Sequence, residues 1–117
     1  MKQPLNDELR VRHVLDAIGE IESYLQKVSL EGFLANSEKC FATIKQIEII
    51  GEACVRISQT IKEEHPEVEW KNIIGFRNIS IHEYFGVNFQ IVWQIVQNDL
   101  PVLKQQFSKI LVGLEGS

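Results

Sequence analysis

The stretch Val11-Arg12-His13-Val14-Leu15-Asp16-Ala17-Ile18-Gly19-Glu20-Ile21-Glu22-Ser23-Tyr24-Leu25-Gln26-Lys27-Val28 places Val11, Val14, Leu15, Ile18, Ile21, Leu25 and Val28 at steps of three and four. Such spacing puts side chains on one face of an α-helix, whereas a half-buried strand would alternate at period two. It predicts a helix with one buried side, beginning near Asp7 with Asn6 or Asp7 as its cap. Beyond the break from Gly32 to Ser37, the residues Ile44, Ile47, Cys54, Ile57 and Ile61 repeat the helical spacing until Pro66 ends the run. Ala42, Ile49 and Ala53 fall on the opposite side of this second helix, which predicts cover on two sides and therefore a homodimer.

An acidic connector, Glu63, Glu64, Glu67 and Glu69, leads to Trp70, Ile73, Ile74, Arg77, Ile81 and Phe85, which predict a shorter third helix ending at Gly86. A fourth helix starts at about Asn88 and carries the stripe Phe89, Val92, Trp93, Val96, Leu100, Leu103, Phe107, Ile110, Leu111 and Leu114. Pro101 predicts a kink, unless Asp99 caps a fresh helix with Pro101 in its first turn. No strand-like alternation, internal repeat or low-complexity segment competes. The fold expected is all-α: one domain over residues 1–117, an up-down four-helix bundle that pairs as a homodimer.

Composition bounds the function. A chain of 117 residues suits one core, and 44% hydrophobic with 24% charged residues is ordinary for a globular protein. The net charge of −4 argues against a protein that grips long nucleic acid through a wide basic surface, so any RNA contact is expected to be local. No apolar run is long enough to span a bilayer, and Met1-Lys2-Gln3-Pro4 leads into charged residues rather than a signal-peptide core, so the expected location is cytoplasmic, without a membrane partner. Cys40 and Cys54 sit on one predicted helix, about 21 Å apart at 1.5 Å per residue, too far for a disulfide. His13, His65 and His82 show no metal-ligand spacing with one another or with the cysteines, and no metal or other cofactor is expected.

The chemistry-bearing stretch is Phe76-Arg77-Asn78-Ile79-Ser80-Ile81-His82-Glu83-Tyr84-Phe85. It places a guanidinium, a carboxamide, an imidazole and a phenol within two helical turns. Arginine offers a charged fork that matches phosphate, and histidine trades protons near neutrality, which together suggest phosphodiester cleavage. On an ideal helix Arg77 and Tyr84 share a stripe to within about 20°, Asn78 and His82 share the adjacent one, and Arg77 and His82 diverge by about 140°. One phosphate can then be gripped by both only if the helix loosens near Ser80 or a second subunit completes the cleft. Plainer roles exist for each residue. Arg77 can pair with Glu52 or Glu83, His82 can cap the helix end, and Tyr84 can anchor it with its hydroxyl in water. Glu52 lies four residues before Arg56, the orientation for a surface pair; Gly51 permits close helix approach; Lys71 reads as a solvated surface lysine.

At these positions the chain resembles the HEPN superfamily, and within it the HepT-like branch, through the pattern Arg-x-x-x-x-His-x-Tyr carried by Arg77, His82 and Tyr84. Gly51-Glu52-Ala53, Pro66, Trp70, Arg77-Asn78 and the segment from Trp93 to Leu100-Pro101 extend the resemblance over nearly the whole chain. The resemblance implies a metal-independent RNA-cleaving toxin of a type VII toxin–antitoxin system, whose minimal nucleotidyltransferase antitoxin transfers AMP to the tyrosine. In that scheme Arg77 and His82 are catalytic, Asn78 supports His82, and Tyr84 is the AMPylation site. The alternative it leaves is a noncatalytic HEPN module that binds nucleotide, RNA or a partner protein through the same cleft. A purely structural dimeric bundle, in which the polar cluster sets helix register, is a third.

Overall fold

The apolar face running from Val11 to Leu25 is turned inward: Val11, Val14, Ile18, Ile21 and Leu25 are all buried. Their helix, α1 (Gln3–Tyr24), packs against α3 (Ser37–Val55) and α7 (Leu100–Glu115). The computed structural model describes residues 3–79 and 89–116, and every regular element among them is helical. Between the long helices lie α2 (Leu30–Leu34), α4 (Gln59–Glu64), α5 (Trp70–Ile74), a 3₁₀ turn (Gly75–Asn78), α6 (Phe89–Gln94) and a π-helical turn (Ile95–Asp99). No described helix is long and apolar enough to cross a membrane.

The core joins the long helices through bulky apolar side chains. Ile44, Ile47 and Ile50 of α3 and Leu103, Phe107 and Ile110 of α7 are buried with the α1 face. Each such side chain contributes about 1.5–3 kcal/mol on leaving water. Aromatic pairs fasten the shorter elements to this core. Phe33 of α2 meets Trp93 of α6 at 5.3 Å between ring centroids, and Trp70 of α5 meets Phe107 at 5.6 Å. Trp70 also donates its indole N–H to the His65 carbonyl at 2.9 Å, so both its apolar body and its polar tip are used. Cys40 and Cys54 are both on α3, buried and not cross-linked.

Four stretches differ from those expected, each for a local reason. The first helix starts at Gln3, before Asp7, with Pro4 in its first turn, where a missing N–H costs nothing. Asp7 is therefore no cap of α1. It is 2% exposed and accepts hydrogen bonds from Ser58 N at 2.8 Å and Ser58 Oγ at 2.6 Å. Ser58 Oγ in turn accepts from Ile61 N at 3.3 Å and caps α4. The helix expected to reach Pro66 is thus divided at Val55 and restarts at Gln59. Ile57 and Ile61 stay buried across the break, which is why the apolar spacing alone concealed it.

The third helix tightens after one and a half turns: α5 passes into the 3₁₀ turn at Gly75, with Phe76 and Ile79 buried. Near Pro101 the fourth segment changes its bonding rather than simply kinking. Leu100 N–H bonds to Ile95 O, a π-type step, and Pro101 enters the first turn of α7. Asp99 stands at the start of α7 but makes no side-chain capping bond.

Candidate functional site

Arg77 is carried by the 3₁₀ turn, and the position of that turn is set by Gly51. A Cβ at residue 51 would overlap the Arg77 backbone nitrogen and come within 3.1 Å of both Arg77 Cα and the Phe76 carbonyl carbon. Only a residue without a side chain lets α3 and the turn approach this closely. The close helix approach expected of Gly51 is therefore realised against the segment bearing Arg77.

From this seat Arg77 lines a cleft of about 400 Å³. Helix α1 contributes Arg10 and His13 to the same cleft, α3 contributes Lys45, Glu48 and Glu52, and Arg56 closes the end of α3. Ile49 and Ala53 supply an apolar strip of wall. Four permanent cations thus face two carboxylates in a chain whose net charge is −4. A concave site with one sign of charge in excess concentrates potential toward ligands of the other sign, here anions.

Among the described residues, ion pairs join Arg12 to Glu8 and Glu115, Lys104 to Glu22, and His65 to Glu67. None involves a cation of the cleft. Arg10 Nε is buried and finds no hydrogen-bond partner among the described residues. A buried guanidinium nitrogen without an acceptor is costly. The pairs considered for Arg77 with Glu52 and for Glu52 with Arg56 are not formed, although all three side chains line the cleft.

Asn78 follows Arg77 in the 3₁₀ turn, is exposed, and does not line the cleft. Successive residues of such a turn are about 120° apart, so the two side chains leave it in different directions. His82 and Tyr84 lie outside the described residues. Lys71 is exposed and away from the cleft, in line with a solvated lysine. The sequence did not mark Arg10, His13, Lys45 or Arg56 as residues of the Arg77 site. Their signal was present as helical spacing: Arg10 and His13 are three apart, while Lys45, Glu52 and Arg56 are separated by seven and four. That two such stripes face each other is a tertiary fact.

Comparison with known proteins places the chain in a family. Residues 14–110 match the family model described as ribonuclease HepT-like. A Thermococcus cleftensis protein named probable ribonuclease HepT is 37% identical over 110 residues, covering 94% of this chain and 98% of that protein. A Caldanaerobacter subterraneus subsp. tengcongensis protein that carries an RNase name is 35% identical over 101 residues, covering 86% of this chain and 90% of its own length. A Methanocaldococcus jannaschii protein, also carrying an RNase name, is 32% identical over 103 residues, with 88% and 85% covered. No solved structure gave a significant match. With a family model spanning most of its length and relatives similar nearly end to end, this chain belongs to the HepT-like ribonuclease family.

Proposed function

We propose that this chain is an RNA-cleaving enzyme in which Arg77 and His82 act on one phosphodiester. The observation that carries the reading is the seat of Arg77 in a cleft where cations outnumber carboxylates, within an otherwise acidic chain. His82 takes the proton of a ribose 2′-hydroxyl as its oxygen attacks phosphorus. The bond from phosphorus to the 5′ oxygen breaks, that oxygen takes a proton from water as it leaves, and His82 returns its own to solvent, giving a 2′,3′-cyclic phosphate and a 5′-hydroxyl. Arg77 stabilises the charge that gathers on the non-bridging oxygens during the transfer. Asn78 orients the His82 ring. The resemblance further supports a reaction without metal and a cytoplasmic toxin of a type VII pair. In that pair a minimal nucleotidyltransferase antitoxin attaches AMP to Tyr84. An adenylyl phosphate there would compete with RNA for Arg77. The single domain of residues 1–117 is proposed to work as a homodimer of four-helix bundles.

Expression of the wild-type chain alone should halt growth, and the purified protein should cut RNA in the presence of EDTA. His82→Ala should fold normally and lose about 10²- to 10⁴-fold in rate. Arg77→Ala should lose about 10²- to 10³-fold, the usual effect of removing one charge-stabilising donor. A binding module would retain RNA affinity in all three proteins and yield no product. Equal, strong cleavage by wild type and His82→Ala would remove His82 from the chemistry.

A further inference from the structure

We propose that Arg10, Lys45 and Arg56 form a subsite for a second RNA backbone phosphate, next to the one held at Arg77. The inference rests on the RNA-cleaving reading but concerns residues outside the Arg77 to Tyr84 motif. One phosphodiester carries one negative charge, and a single guanidinium is enough to meet it. The cleft holds three further permanent cations, delivered by α1, by α3 and by the residue that follows α3 rather than by the turn that carries Arg77. Glu48 and Glu52 offset two of the four. The remaining positive excess matches two adjacent phosphates of a strand.

A further observation points to an anion at this place. None of the cleft cations enters an ion pair among the described residues, although two carboxylates line the same walls. Arg12 and Lys104, outside the cleft, do find carboxylate partners. His13, one turn along α1 from Arg10, adds a further ring nitrogen to the rim. The cleft volume of about 400 Å³ also lies within the range of sites that enclose small-molecule-sized groups. Phosphate contacts of this kind fix the register of a strand without reading its bases. Arg10, Lys45 and Arg56 are therefore positioning residues, holding the strand so that one linkage lies at Arg77.

The test uses a 2′-O-methyl oligoribonucleotide of ten nucleotides, which lacks the attacking hydroxyl, so binding is read apart from cleavage. Fluorescence anisotropy over a salt series should show Arg10→Gln, Lys45→Gln and Arg56→Gln weakening binding about three- to tenfold each. A lost phosphate contact should also flatten the plot of log K against log salt by about 0.7. Lys104→Gln, which removes a cation outside the cleft, should change neither. Lys45 is exposed, so its variant tests the subsite even if Arg10→Gln folds poorly. In cleavage of unmodified RNA the same variants should raise KM and leave kcat within about twofold, unlike Arg77→Ala. Wild-type affinity and salt slope in Lys45→Gln and Arg56→Gln would overturn the subsite, whether or not the wild type cuts RNA. So would AMP displacing the oligonucleotide with equal affinity, which would make the cleft a mononucleotide site. Weakened binding alongside a wild type that cuts nothing would sustain the subsite and defeat the nuclease reading instead.

Discussion

Gly51 and Arg77 are packed backbone against backbone: a methyl group at residue 51 would stand 3.1 Å from Arg77 Cα and overlap the Arg77 backbone nitrogen. Gly51→Ala sets two effects in opposition. Alanine raises helix propensity by about 1 kcal/mol, while overpacking against a rigid neighbour costs about 1–3 kcal/mol. The neighbour is main chain and cannot rotate away, so overpacking wins and the turn that carries Arg77 must move. Urea unfolding should show a net loss of stability, and RNA cleavage should fall further than stability explains. Gly19→Ala is the control. Nothing lies within 4 Å of its added methyl, so that variant should gain about 0.5–1 kcal/mol with activity kept. Full activity and undiminished stability in Gly51→Ala would refute the claimed contact.

Asp7 and Ser58 tie the start of α1 to the break between α3 and α4. Asp7→Ala strips two hydrogen bonds from Ser58 and leaves its backbone N–H without its acceptor in a partly buried place. Bonds to a charged group contribute about 1.5–3 kcal/mol, and a loss of that size should appear in equilibrium unfolding. Ser58→Ala removes the hydroxyl bond to Asp7 together with the cap on Ile61 N, and keeps the bond from its backbone N–H. The two single losses should therefore overlap. A double-mutant cycle should return a coupling of about 0.5–3 kcal/mol, and strict additivity would show that the contact adds nothing.

Burial pushes the Cys54 thiol up to about 12 from an ordinary value near 9. Below about pH 9 the thiol keeps its proton in both folded and unfolded chains, and no pH dependence arises from it. Between about 9 and 12 the unfolded chain releases the proton and the folded chain holds it. Stability then falls as pH rises through that window. Melting temperature measured from pH 8 to 10.5 should decline in the wild type and decline less in Cys54→Ala, compared as slopes because the alanine also opens a cavity. In the native state at pH 8, a thiol reagent should label Cys54 no faster than the chain unfolds. Rapid labelling without unfolding would contradict the burial.

Where the helices run could be read largely from spacing. Val11 to Leu25 and Leu100 to Ile110 each present one apolar face, and a face of that kind must be buried whatever covers it. Gly51 was also readable as a point of close approach. The break at Val55 was not, because Ile57 and Ile61 continue the apolar stripe and serve the core from both sides of it. Within the break Ser58 bonds to a carboxylate 51 residues away in sequence, a contact that no local pattern announces. The 3₁₀ turn under Arg77 escaped for a similar reason, since Phe76 and Ile79 are three apart and are buried by a tight turn as well as by an α-helix.

By itself the sequence determined an all-α chain, a buried face for each long helix, two thiols too far apart on one helix to cross-link, and a motif around Arg77 with the chemistry of phosphate. These follow from local geometry, because residues three and four apart meet on a helix in any surroundings. Only the tertiary structure decided which residues stand beside Arg77. Arg10 and His13 on α1, Lys45 on α3 and Arg56 just beyond it are ordinary surface-type residues in sequence, and they become a cleft when those elements pack around Gly51 and the turn. Charge in a cleft depends on distance through space, which helical periodicity along the chain does not encode.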